Sequence, residues 1–283
     1  MQSTFSKIAL YVMVVAGCMS CTGANLYKDL ASNKTSDEAL YEDAKKLLDS
    51  ANYTEAITKI QATTATFQTQ ARVKESLGGA YAARCGMEFL PFVSRLTGSS
   101  VASFFSLAMN GFVGITTDNY ADCVTAETIV EGIGVISART QSQNIFLMIL
   151  EMAKIGNLLR SDGDILPTVF GDGTTDAGFN CRASVPIAHA KVIMESFFKF
   201  LSLFTVVGSN LAGSNVTVIN DFVNSPAGTA ILAQPFDYSG GTDPTGPDEA
   251  DPVIFLARGI IHSQSFGIGS CNNADPTQCI CPP

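Results

Sequence analysis

Residues 36–67 read SDEALYEDAKKLLDSANYTEAITKIQATTATF, and this stretch decides the fold. Ser36 is of the residue type that accepts from free N–H groups in a first helical turn, and Asp37 and Glu38 then place negative charge at the positive end of the helix dipole. Leu40, Ala44, Leu47 and Leu48 recur at a spacing that gathers them on one helical face; after a polar break at Ser50 to Asn52, Ala56, Ile57 and Ile60 do the same. Two amphipathic helices around so short a break predict a helical hairpin. Its partner begins near Ala71, in ARVKESLGGAYAARCGMEF.

Downstream, SSVASFFSLAMNGFVGI (99–115) is almost free of charge, but its serines, Asn110 and Gly111 dilute it, and it is short for a bilayer. It reads as a helix buried on all sides. TAETIVEGIGVISART (125–140), SQNIFLMILEMAKIGNLLR (142–160) and ASVPIAHAKVIMESFFKFLSLFTVVG (183–208) supply further helices, the last interrupted by Lys199 and therefore not a membrane span. The fold class is all-α: helical hairpins continued by a bundle or short solenoid over residues 36–270, with an irregular cysteine-containing tail at 271–283. A hydrophobic fraction of 46% against 15% charged residues supplies enough apolar side chains for a sizeable core.

Before the first hairpin, the chain opens with Lys7, an apolar run from Ile8 to Val15, then Ala16, Gly17 and Cys18. That order is a compact secretory signal. Val15-Ala16-Gly17-Cys18 resembles the lipobox of bacterial lipoproteins, which implies that residues 1–17 are removed, that Cys18 is lipidated and that 18–35 form a tether. A plain signal cleaved near Gly17, or an uncleaved anchor, is the alternative. Met19 stands where aspartate would favour inner-membrane retention in the enterobacterial scheme, so the resemblance implies the periplasmic face of the outer membrane.

Export carries a redox consequence. Of the 8 cysteines, setting Cys18 aside leaves Cys21, Cys85, Cys123, Cys181, Cys271, Cys279 and Cys281, an odd number in an oxidising compartment. Cys21, in the tether, is the expected odd thiol. Cys279 and Cys281 are poorly disposed to pair with each other, so one tail cysteine is expected to reach back to the helical body. A net charge of −9 argues against nucleic acid and against a basic membrane-binding face, leaving the lipid as the membrane contact.

Leu77-Gly78-Gly79-Ala80-Tyr81 matches the L-G-x-x-Y core of the tetratricopeptide repeat, and Asn52-Tyr53-Thr54-Glu55-Ala56 looks like the opening of that repeat's second helix. The two fragments agree in phase: a first repeat from Asp37 and a period of about 34 residues start the next at Ala71. The chain therefore resembles the tetratricopeptide family over residues 37–90. It departs from the pattern at Leu90 and Ser94 and lacks the closing prolines. The resemblance implies that Gly78 and Ala56 permit close helix approach, that Tyr81 fills the gap between helices, and that a partner-binding face lies between Tyr53 and Tyr81.

Catalytic constellations are scarce. His189 and His262 are far apart, and no G-x-S-x-G elbow, phosphate loop or H-E-x-x-H pair occurs. The loop SDGDILPTVFGDGTTDAG carries Asp162, Asp164, Asp172 and Asp176 in a composition that suits calcium, but it lacks the EF-hand ligand order and its terminal glutamate. A second loop, DYSGGTDPTGPDEADPV (237–253), reads as a solvated connection. No enzyme activity, cofactor or metal is expected. The expectation is a non-catalytic, lipid-anchored periplasmic scaffold or accessory subunit that binds an envelope protein. The alternative is a carrier of a hydrophobic small molecule, with Met148, Met152, Phe197, Phe200 and Phe204 around a helical cavity.

Overall fold

The hydroxyl of Ser36 accepts the Ala39 N–H at 3.3 Å and begins helix α1 (Asp37–Asp49). In this computed structural model residues 35–98, 103–115, 119–166, 171–207, 220–221, 223–225, 229, 252–273, 275 and 278–282 are described. The lipobox, Cys18, Cys21 and the tether up to residue 34 lie outside them, as does the acidic connection at 237–251.

Helix α2 (Tyr53–Gln61) folds back on α1, as the apolar spacing predicts, and a short α3 (Ala65–Gln68) follows. Thr64 caps α3 and donates its own N–H to Asp37 at 2.8 Å, fastening the end of the hairpin to its beginning. Helix α4 (Ala71–Arg84) starts at the residue where the second repeat was expected. It packs on α2 and, more extensively, on α7 (Tyr120–Glu131), rather than pairing chiefly with α5 (Phe89–Gly98), the helix that follows it. Gly78 allows this: a Cβ there would stand 2.5 Å from the Val130 side chain on α7. Tyr41, Ala44, Ile57, Ile60, Phe67, Val73, Leu77 and Ala80 form a small core of their own.

The second core is larger and aromatic. Helices α6 (Phe104–Asn110), α8 (Gln141–Gly163), α9 (Ile187–Val207) and α10 (Pro252–His262) surround it, with α8 and α9 as its longest members. The buried run around Phe104 is helical as expected, and α6 ends at Asn110 with Gly111 as its cap, lying against the Phe92 ring where a side chain would not fit. The 125–140 helix is shifted: α7 begins at Tyr120 and stops at Glu131, where the Gly132 N–H caps it. Gly156 sits so close to α6 that a Cβ would meet the Ala108 carbonyl oxygen at 2.1 Å. Helix α10 starts inside the stretch read as connection. Among the described residues there is no strand, and Ser263 and Cys271 form an isolated parallel bridge. No helix among them is long and apolar enough to cross a membrane.

Disulfides, most of them buried, cross-link the helices and the tail. Cys85 at the end of α4 is bonded to Cys123 on α7, with Cα atoms 5.3 Å apart. Beside it, Arg84 makes a bidentate ion pair to Asp122 at 2.6 and 2.7 Å. Cys181, just before α9, is bonded to Cys281, so a tail cysteine reaches back to the helical body. Cys271 and Cys279 close the tail on itself.

Candidate functional site

A groove of about 390 Å³ opens between the α1/α2 hairpin, α4 and the start of α5. Its floor is built by local sequence: Ser76, Gly79, Ala80 and Ala83 recur along one face of α4, and small side chains there leave the helix backbone close to the surface. At Gly79 an added Cβ would meet nothing within 4 Å. One wall is Phe89, which stacks on Phe146 of α8 with ring centroids 6.4 Å apart. Leu90, 76% exposed, stands beside it, and Phe89 is itself 39% exposed. Phe89 and Leu90 thus place two neighbouring apolar side chains at the surface.

Tyr53 forms the opposite rim, where its hydroxyl donates to Glu88 Oε1 at 3.2 Å. Burial, followed by the Glu88 charge, holds the phenol above its ordinary pKa, so it remains a neutral donor. Tyr81 has another role. It packs against both cores, accepts a hydrogen bond from Gln61 Nε2 at 3.0 Å and carries the Arg84 guanidinium over its ring. It supports the hairpin from behind, whereas Tyr53 lines the groove. The two expected partner-binding tyrosines are thus not brought together at one opening.

Met148, Met152, Phe197, Phe200 and Phe204 are all buried in the larger core. Phe197 and Phe200 pack against Phe104, and Phe200 stacks on Phe204. Their surfaces are occupied by each other and by α6.

The aspartates of the 161–178 loop are used as backbone acceptors. Asp164 takes the N–H groups of Asp172 and Gly173 at 2.9 and 2.8 Å, and Asp176 takes those of Ile165 and Leu166. Burial raises Asp164 above its ordinary pKa, against those donors. Asp162 instead faces His189 Nδ1 at 2.9 Å. Among the described residues no group of three or more His, Cys, Asp or Glu is placed to hold a metal ion.

The chain matches no protein-family model, no curated protein and no solved structure.

A buried ion cluster lies where α7, α8 and α9 meet. Lys154 reaches Glu127 at 2.5 Å and Glu151 at 2.9 Å, with all three nearly sealed from water. Lys199 on α9 also binds Glu127 and approaches Glu131 at 3.4 Å and Glu195 at 3.3 Å. Burial would lift the Glu127 carboxyl, but the ammonium groups of Lys154 and Lys199 outweigh it and hold Glu127 below its ordinary value. Burial would likewise discharge Lys154; Glu151 and Glu127 overcome it and keep the ammonium charged. Glu151 is the member that burial wins: its carboxyl is pushed up to about 8. Only the Glu151–Lys154 and Glu195–Lys199 spacings were visible in sequence, because the remaining pairs join separate helices.

Proposed function

We propose that this chain is a non-catalytic lipoprotein, anchored through Cys18 at the periplasmic face of a bacterial outer membrane, that holds an envelope protein in the groove beside Tyr53. The groove carries the reading: an open channel floored by Ser76, Gly79 and Ala80 and walled by exposed Phe89 and Leu90 offers apolar surface to a partner. Starts of α1 and α4 at Asp37 and Ala71 support a tetratricopeptide-like arrangement in this part. The mutual packing of Phe197, Phe200 and Phe204 favours the scaffold over the carrier, which needs those rings to line an enclosed space.

The test is a photo-crosslinker placed at Leu90 in intact cells, followed by mass spectrometry of proteins and extracted lipids. A recurrent envelope protein, lost when Tyr53 is replaced by Ala, is the expected outcome. A bound apolar small molecule with no protein adduct would overturn the reading in favour of a carrier.

A further inference from the structure

The groove is apolar except at one place. Of the described residues lining it, Glu88 alone carries a charge, and it is negative. Tyr53 donates to Oε1 and fixes that carboxylate at the rim, while a carboxylate retains acceptor capacity for further donors. The chain as a whole carries a net charge of −9, so an approaching cation meets attraction over distance as well as at the rim. An acidic partner would be repelled on both scales.

The shape restricts the partner further. Ser76, Gly79, Ala80 and Ala83 follow each other along one helix face, so the floor is long and shallow rather than a deep cup. A small-residue floor lets another backbone lie close, and the exposed Phe89 and Leu90 wall gives apolar side chains something to bury against. Among the described residues no strand offers an edge for an extended peptide to join. A helix laid into the groove meets both requirements, presenting apolar anchors on one face with a charged residue one turn away on the same face.

We propose that the groove receives an amphipathic cationic helix of a partner protein, with an aromatic or branched aliphatic side chain against Phe89 and Leu90 and a Lys or Arg one turn away bonded to Glu88. This rests on the scaffold reading above and gives the partner its chemistry. Glu88 supplies discrimination by sign. The apolar wall supplies most of the affinity, since an ion pair at so exposed a rim is weak.

The experiment is selection of a displayed random-peptide library on the purified mature chain, in parallel on Glu88→Gln and Leu90→Asp, both surface changes that leave the cores untouched. Selected peptides are then synthesised and their affinities measured at about 0.05 M and about 0.5 M salt. Expected is enrichment of peptides with an aromatic or aliphatic residue and a Lys or Arg three or four positions away. Glu88→Gln weakens them roughly two- to fivefold at low salt and removes the preference for Lys or Arg over Gln in the peptide; Leu90→Asp abolishes binding. Enriched peptides without a basic residue, or indifferent to Glu88→Gln, overturn the cationic partner while leaving the groove as a binding site. Peptides bound equally by Leu90→Asp, or no enrichment on the parent chain, overturn the groove itself.

Discussion

Glu151 and Lys154 face each other at 2.9 Å, one helical turn apart and both shut away from water. The ammonium is shared with Glu127, so a single buried cation answers two carboxyls, one of which burial keeps protonated around neutrality. Replacing Lys154 by Met strands Glu127 with only the half-exposed Lys199 as partner. Removal of one member of a buried pair typically costs about 3–5 kcal/mol, and denaturant unfolding of Lys154→Met should show a loss of that order.

The pH dependence follows from Glu151. Its carboxyl is raised from 4.5 to about 8 on folding, so the stability it lends is fully present below 4.5 and drains away as pH rises towards 8. Burial holds His262 below 6.5, which works in the opposite direction at the acid end of that window. The difference between parent and Glu151→Gln cancels the histidine. Thermal melts across the window should show Glu151→Gln gaining on the parent steadily with rising pH; a constant offset would refute the assignment.

Two glycines on helices should respond with opposite signs. Gly79 faces open space, so Gly79→Ala gains helix propensity of up to about 1 kcal/mol. Gly156→Ala would drive a Cβ into the Ala108 carbonyl oxygen and force α6 away from α8, a loss of roughly 1–3 kcal/mol or more. Melting temperatures of the two variants, measured side by side, decide the matter.

The bond between Cys85 and Cys123 closes a separation of 38 residues and binds α4 to α7 immediately before the groove wall. Replacing both cysteines by Ala should cost about 3–4 kcal/mol. Non-reducing peptide mapping of the parent should recover this bridge together with Cys181–Cys281 and Cys271–Cys279.

Anchoring is tested by Cys18→Ala and cell fractionation. The lipid reading expects stable protein to leave the membrane fraction, since more than one acyl chain is what makes such anchoring durable. Retention at the parent level would rule it out.

The N-terminal hairpin was legible because its signals are local: a cap at Ser36, acids in the first turn and an apolar face that recurs every turn. The long helices α8 and α9 were legible for the same reason. Less was visible where a close approach depends on a distant neighbour, as at Gly111 against Phe92, or where α7 takes in Cys123 to meet Cys85. The groove was half legible. Tyr53 drew attention through a motif, but Glu88 and Phe146 join it only after α4, α5 and α8 are assembled, and Tyr81 turned away into the packing. Within the ion cluster the Glu151–Lys154 and Glu195–Lys199 spacings were local, but Glu127 was not legible as its centre, because Lys154 and Lys199 arrive from 27 and 72 residues away.

The bond from Cys181 to Cys281 makes the chain between them, 100 residues in sequence separation, a covalent ring. A protease that nicks the backbone once anywhere inside that ring severs no piece from the molecule. On a denaturing gel the cut protein would migrate as one species until a reductant is added and would then separate into fragments, so resistance judged without reductant would overstate how intact the backbone is.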